Sequence, residues 1–313
     1  MNLPKLPAIR PTLLRPLGTL LFLLAWMVPW RPAFRVHAAG SRLAFFVHHR
    51  DAIGRHVARY GTHEPLVTRW LSDFLGVARR SIVVDIGANL GWHALHAARH
   101  RNVEAVVAFE PDLFNAWLLE RNLAQNRIDN VIVDCRAVGA APGVARLYRY
   151  KSSNAGRHSL AADHGYGSRQ VPITDLDGAL AALGFGDRPI AVIKIDVEGY
   201  EPAVIAGARQ ALDRTDAVIL EYSPDLSRAG GLSADDMLVR LQSWGFTPFV
   251  LRSTGGTTRT TIEELRHLSG SLDIIFVRSE RLPRLAGAMN EQPHGSLPLQ
   301  AIAEENKRIK TPL

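Results

Sequence analysis

The sequence predicts an α/β fold with a mainly parallel sheet covered by helices on both faces. Three observations predict it. Apolar strand-like runs alternate with helix-like segments from residue 81 to residue 251, the pattern of a sheet built through crossover connections. One run, Val83-Val84-Asp85-Ile86, stops at a glycine turn, Gly87-Ala88-Asn89-Leu90-Gly91, that opens a helix. Several runs end in a carboxylate, at Asp85, Glu110, Asp196 and Glu221, and the carboxyl ends of such strands face the ligand crevice.

The 313 residues suffice for a full core, and 47% hydrophobic with 21% charged residues is ordinary for a globular chain. The net charge of +7 comes mostly from scattered arginines, which reads as composition bias before it reads as an anionic partner. No nucleic-acid-binding module is recognisable, so nucleic acid is not an expected partner. A single cysteine, Cys135, excludes an intramolecular disulfide and a cysteine zinc cluster, and suits a reducing, cytoplasmic setting. The sequence carries no signal for an oligomeric state.

Residues 1–40 form an apolar and basic extension. Lys5, Arg10 and Arg15 precede an apolar run from Leu17 to Trp30, and Arg31 and Arg35 follow it. The run is shorter than the roughly 20 residues of a spanning helix, and Pro29 and Pro32 interrupt it. Three readings stand: an interfacial helix on an anionic membrane, a signal or anchor, and a helix packed on the protein body. Tryptophans with flanking arginines favour peripheral membrane contact through residues 17–35.

Residues 41–282 read as the main domain. Residues 41–75 read as helical, with Leu66, Trp70, Leu71 and Phe74 on a core face. His48, His49, His56 and His63 lack a metal-ligand spacing and read as solvated or lid residues. Strands are expected at 81–87, 105–110, 131–138, 146–150, 171–174, 191–196 and 217–222, with helices at 90–100, 113–126, 201–212 and 234–244. Runs 247–251 and 272–277 have no helix between them and read as a closing antiparallel hairpin. Residues 283–313, with Pro293 and Pro298, read as a polar, flexible tail.

The turn has the spacing Asp-x-Gly-x-x-x-Gly. That is neither the Gly-x-Gly-x-x-Gly of a dinucleotide site nor a phosphate loop. An acid ahead of the turn suits a cationic cofactor without phosphates, such as S-adenosylmethionine. About 25 residues separate Asp85 from Glu110, close to the roughly 20 of one βαβ step, where an acid accepts from ribose hydroxyls. Pro111 fixes the turn beyond it. Lys194 is a charge inside an apolar strand and needs a carboxylate partner. Asp196 is expected beside the transferable methyl group, Glu198 one turn beyond, and Gly199 permits the exit toward the helix.

The motifs Asp85-Ile86-Gly87-Ala88-Asn89-Leu90-Gly91, Phe109-Glu110-Pro111, Asn154-Ala155-Gly156-Arg157-His158-Ser159 and Ile193-Lys194-Ile195-Asp196-Val197-Glu198-Gly199-Tyr200-Glu201 resemble the FkbM-type methyltransferase family over residues 64–278. The resemblance implies a class I, Rossmann-like fold with a seven-stranded sheet, S-adenosylmethionine as cofactor, and O-methylation of a sugar, polyketide or related hydroxyl. By position it gives the cofactor turn to Asp85, Gly87, Asn89 and Gly91 and the ribose to Glu110, with Ala88, Pro111 and Ala137 completing the cofactor set. It places Asp196 and Glu198 in the catalytic site. His93 departs from the small or aromatic residue usual in the family.

Transfer to an alcohol needs an oriented hydroxyl and a proton acceptor. Asp196 is the first candidate, Glu198 the second and His158, in a Gly/Ser/His loop at 152–164, the third. Asp196, Glu198 and Glu221 also offer oxygen ligands for Mg²⁺, but a metal-free site is the preferred reading. The expected acceptor is a small molecule or glycan. A nicotinamide-dependent oxidoreductase and a non-catalytic cofactor-binding scaffold are the competing readings.

Overall fold

The computed structural model describes residues 33–48, 51–151, 157–292 and 298–310. The apolar run at 17–30, His49 and the loop centre at 152–156 lie outside the described residues.

The chain enters as a hairpin, β1 (Ala33–His37) and β2 (Ala44–His48), where the sequence reads as helical. Two helices follow, α1 (Ala52–Tyr60) and α2 (Pro65–Val77). The alternating part then runs β3 (Ser81–Ile86), α3 (Trp92–Ala98), β4 (Val103–Phe109), α4 (Leu113–Asn126) and β5 (Val131–Asp134). A short excursion adds β6 (Ala137–Val138), β7 (Gly143–Tyr148) and β8 (Ser168–Thr174). After α5 (Leu176–Ala182) come β9 (Ile190–Ile195), α6 (Glu201–Ala206), α7 (Arg209–Asp213) and β10 (Thr215–Tyr222). The chain continues through α8 (Pro224–Ala229), α9 (Ala234–Ser243), β11 (Phe246–Leu251), β12 (Thr257–Arg259), α10 (Ile262–Arg266) and β13 (Leu272–Arg278). It ends in α11 (Leu282–Met289) and α12 (Leu299–Lys310).

The central sheet has eight strands in the order β12-β11-β13-β10-β9-β3-β4-β5. The five from β10 to β5 are parallel, and β13 inserts antiparallel between β10 and β11. The antiparallel pairing of the two closing strands forms as the sequence predicts. The expected absence of a helix between them does not hold, because Thr261 caps a short helix, α10, with Glu264 in the stretch that joins them. The eighth strand is β12, a Thr-Thr-Arg segment that pairs on the edge of β11. Strand order reverses beside β3: the chain winds outward through β4 and β5, then returns to place β9 on the other side. The gap between β3 and β9 is the switch point at which open α/β sheets take ligands.

Alternation along β3 divides the core. Val83 packs with Leu71, Phe74, Leu95 and Leu119 of α2, α3 and α4. Ile82, Val84 and Ile86 pack with Leu180, Val204 and Leu241 of α5, α6 and α9. A strand buried on both faces explains its unbroken apolar run.

Two further differences have physical causes. The expected strand at 131–138 is broken at Cys135-Arg136, where the Asp134 carboxylate grips the Arg136 guanidinium and accepts from its backbone N–H. Cys135 thus lies between two sheets, and Ala137–Val138 joins the three-stranded sheet β6-β8-β7. The expected loose tail instead forms α11 and α12, anchored by buried Leu285, Ile302 and Ala303. The Asn306 side chain donates to Leu251 O at 2.9 Å.

Candidate active site

The carboxyl ends of β3, β4 and β9 meet around a hollow that is partly open to solvent. Its floor is built from the glycine turn. Gly87 and Ala88 both donate to Phe109 O at 3.0 Å, which ties the turn to β4. Asp196 N donates to Ile86 O at 3.0 Å and ties it to β9. Gly87 sits at φ +81, and a Cβ there would meet Asp196 O at 1.9 Å. Only glycine permits both the backbone turn and that approach. Gly91 sits against Leu119 and serves packing rather than lining.

Glu110 follows β4 and is 6% exposed. Its Oε2 accepts from Asn89 N and its Oε1 from Asp112 N, each at 2.8 Å. Burial pushes this carboxyl up to about 7 despite those donors. Each oxygen retains acceptor capacity for a ligand hydroxyl. Gly87, Asn89, Glu110, Pro111, Ala137, His158 and Asp196, all sequence candidates, line the hollow. Arg136, Leu147 and Leu160 line it as well. The three-stranded sheet supplies Leu147, which a reading of the central strands alone misses.

Asp85 lies elsewhere. It is 2% exposed, on the α3 side of β3, outside the lining of the hollow. Burial pushes the group up to about 6, against the pull of the Lys194 ammonium. It stands opposite Lys194 in the β3–β9 register. The Lys194 ammonium bonds Asp196 Oδ2 at 2.9 Å, the carboxylate partner that its place in an apolar strand demands. Asp196, Glu64 and Asp85 together raise the lysine pKa over the cost of burial, so Lys194 stays charged. Glu64 caps this cluster from the start of α2 and accepts from His93 Nε2 at 2.9 Å. Burial lowers His93 to about 4, so it is neutral at neutral pH. The unusual residue at 93 is thus the partner of a buried acid. Glu64 has no signal in the sequence beyond preceding Pro65.

Beyond Asp196 the chain turns sharply, with Glu198 at φ +53 and Gly199 at φ +97. Glu201 holds this turn. Its Oε1 accepts from Val197 N and Gly199 N, each at 3.1 Å. The Arg157 guanidinium bonds both oxygens of Glu198 at 3.3 Å, and Ser159 Oγ donates to Glu198 O at 2.6 Å. The two motifs around Arg157 and Glu198 therefore form one bolted unit. Asp196, Glu198 and Glu221 each offer an oxygen within 4.8 Å of the others. Two of these three carboxylates are ion-paired by cations of the chain itself, Lys194 and Arg157.

His158 lines the hollow, but its Nδ1 accepts from Tyr150 N at 3.0 Å. That bond fixes the proton on Nε2, which faces Asp112 Oδ2 at 3.9 Å. Burial also lowers its pKa. A neutral ring with its one lone pair engaged is a donor, not a base.

The geometry fits S-adenosylmethionine. A backbone cradle closed to any Cβ, and a buried acid at the end of β4 with acceptor capacity left for a hydroxyl, suit a phosphate-free nucleoside-like ligand. The model of the methyltransferase FkbM domain matches residues 85–248. No curated protein matches the chain. Among solved structures, an rRNA methylase from Streptococcus thermophilus is 13% identical over 66% of this chain and 93% of its own, with a TM-score of 0.38. A precorrin-6y C5,15-methyltransferase from Geobacter metallireducens is 13% identical over 67% and 86%, with a TM-score of 0.35. TYW2 of M. jannaschii, solved with AdoMet, is 12% identical over 79% and 87%, with a TM-score of 0.37. Among the described residues no helix is long and apolar enough to cross a membrane.

Proposed function

Because the chain belongs to the FkbM methyltransferase family and uses S-adenosylmethionine, we propose that it methylates a hydroxyl oxygen on a sugar, glycan or secondary metabolite. One observation supports this reading above the rest. Asp196 lines the hollow at the switch point, its backbone carbonyl packed against Gly87 and its carboxylate held by a charged lysine. S-adenosylmethionine, held by the turn at Gly87–Asn89 with Glu110 toward its ribose, supplies an electrophilic methyl group on a cationic sulfur.

The chain's own residues do the rest. Asp196 would accept the hydrogen bond of the acceptor hydroxyl, aim its lone pair and take its proton as the O–C bond forms and the methyl–sulfur bond breaks, the electron pair of that bond leaving with the sulfur. Lys194 keeps Asp196 in place. Glu198 and Arg157, paired with each other just beyond Val197, lie outside the lining of the hollow and brace the turn that carries Asp196. His158 acts as a donor through Nε2, which leaves Asp196 as the base. With Lys194 and Arg157 already paired to Asp196 and Glu198, no divalent cation is needed to hold the acids together. A strong chelator is therefore expected to leave turnover unchanged.

The test has two parts. Calorimetry is expected to detect S-adenosylmethionine and its demethylated product, and no heat with NAD. Extracts supplied with the enzyme and isotopically labelled methyl donor are expected to yield an oxygen-methylated product by mass spectrometry. Binding of NAD in place of the methyl donor, or label confined to nitrogen or carbon, overturns the reading.

A further inference from the structure

Helix α4 has a second face that the cofactor hollow does not use. Leu113, Phe114 and Trp117 are 62%, 37% and 40% exposed. Their spacing puts them on one side of the helix, and the Phe114 and Trp117 rings stack at 5.6 Å. The patch begins two residues after Pro111, which lines the hollow. Three large apolar side chains side by side in water on one short stretch are a candidate contact surface.

One cation touches the patch, and further exposed arginines lie on the hairpin and at the far end of the helix, with Glu120 the exposed acid one turn from Trp117. The Arg121 guanidinium lies 4.9 Å from the ring centroid of Phe46 and 5.2 Å from that of Trp117. Arg35, opposite Phe46 across the hairpin, is exposed, as are Arg42 before β2 and Arg127 at the end of α4. Exposed aromatic and aliphatic side chains beside Arg121, with the arginines of the adjoining hairpin exposed, suit an anionic lipid interface: the rings enter the acyl boundary and the guanidinium groups meet headgroup phosphates.

The position of the chain's entry adds an independent argument. Ala33 pairs with His48 across the hairpin, and the His48 ring packs edge-on against Phe114 at 5.3 Å. The residues that precede Ala33 are the apolar run Leu17 to Trp30, with Arg31 after it. The chain therefore passes from its most apolar segment into the fold beside the exposed patch.

We propose that the exposed face of α4 with the β1–β2 hairpin is a membrane-docking surface for anionic phospholipid. Leu113, Phe114 and Trp117 supply the inserted groups. Docking there brings the rim of the cofactor hollow to the bilayer.

The experiment is co-sedimentation of the full chain with vesicles of phosphatidylcholine alone or mixed with phosphatidylglycerol. The wild type is expected to sediment with the anionic vesicles and to be released by high salt. The double substitution Leu113→Ser with Trp117→Ser is expected to weaken that binding about tenfold or more. Arg121→Glu, at an exposed position, is expected to weaken it in the same direction and serves if the double variant does not fold. Calorimetry with S-adenosylmethionine on each variant reports separately on the hollow, so a failure of the methyltransferase reading is distinguishable. Wild-type protein that ignores anionic vesicles overturns the proposal. So does patch-variant binding equal to wild type when deletion of residues 1–32 abolishes it. A dimer in solution that the patch substitutions convert to monomer assigns the face to a second copy and equally overturns it.

Discussion

Asp196 and Gly87 show how closely the site depends on single atoms. Gly87→Ala puts a methyl group 1.9 Å from Asp196 O at a φ of +81. The neighbour is backbone, so relief requires moving β9 away from the turn. Loss of measurable S-adenosylmethionine binding by calorimetry is the expected result, and near-wild-type affinity would show that the turn does not form the cradle. Asp196→Asn keeps the shape, removes the proton acceptor and weakens the bond to Lys194. Turnover is expected to fall by about 10²–10³, with cofactor affinity within a few-fold of wild type. Full turnover in this variant removes Asp196 from the chemistry. That Lys194 finds a carboxylate was legible in the sequence, because a lysine in an apolar strand must be paired; that the carboxylate is Asp196 came from the structure. The place of Asp85 was not legible. Strand alternation sends its side chain toward α3, and the glycines after it say nothing about which face it takes. The orientation of His158 was equally hidden, since it depends on the backbone N–H of Tyr150.

At the scale of elements, the hairpin shows what sequence patterning conveys poorly. The β1–β2 strands are five residues each, and a short apolar run such as Ala44-Phe45-Phe46-Val47 is ambiguous between strand and buried helix. The hairpin is settled by contacts distant in sequence. Asn122 Oδ1 accepts from Phe46 N at 2.6 Å, and its amide donates to Phe46 O and Leu90 O. Asn126 repeats the pattern one turn later on Ala44 N and Ala44 O. Two asparagines four residues apart thus act as a substitute strand for the edge of β2. Asn122 is fully buried, so Asn122→Ala strands several backbone groups. It is expected to cost about 2–4 kcal/mol in denaturant unfolding, with the loss greater than for Asn126→Ala. Equal, negligible losses would mean the hairpin docks through Phe45 on Trp92 alone. The central alternation was readable because each parallel strand is apolar throughout and bounded by turn residues. The edge strand β12 and the terminal helices were not: Thr-Thr-Arg has no apolar period, and α12 buries little beyond Ile302, Ala303 and Asn306.

Across the whole molecule, the buried titratable groups oppose one another, and their balance sets stability against pH. Burial lowers His56, His93 and His96 to about 4. These rings protonate near 6.5 when unfolded, so the unfolded state binds more protons between those values and stability rises with pH through that window. Asp85, Glu110 and Glu201 have the opposite sign, pushed up by burial to about 6, 7 and 8. They ionise near 4 when unfolded. The folded state then holds more protons, and stability falls as pH rises from about 4 through each folded value. Below about 6.5 the two sets offset each other; above it only Glu110 and Glu201 continue to act, so thermal stability is expected to decline between roughly pH 6.5 and 8. Glu201→Gln isolates one contribution. Both backbone donors go to Oε1, and the glutamine carbonyl can accept both. The variant and the wild type should unfold alike near pH 4. The variant should gain up to about 1.4 kcal/mol relative to wild type for each pH unit toward 8. A stability difference that stays constant from pH 4 to 8 would show that Glu201 is ionised in the fold. The 196–201 turn would then be held by a charge rather than by a neutral carboxyl.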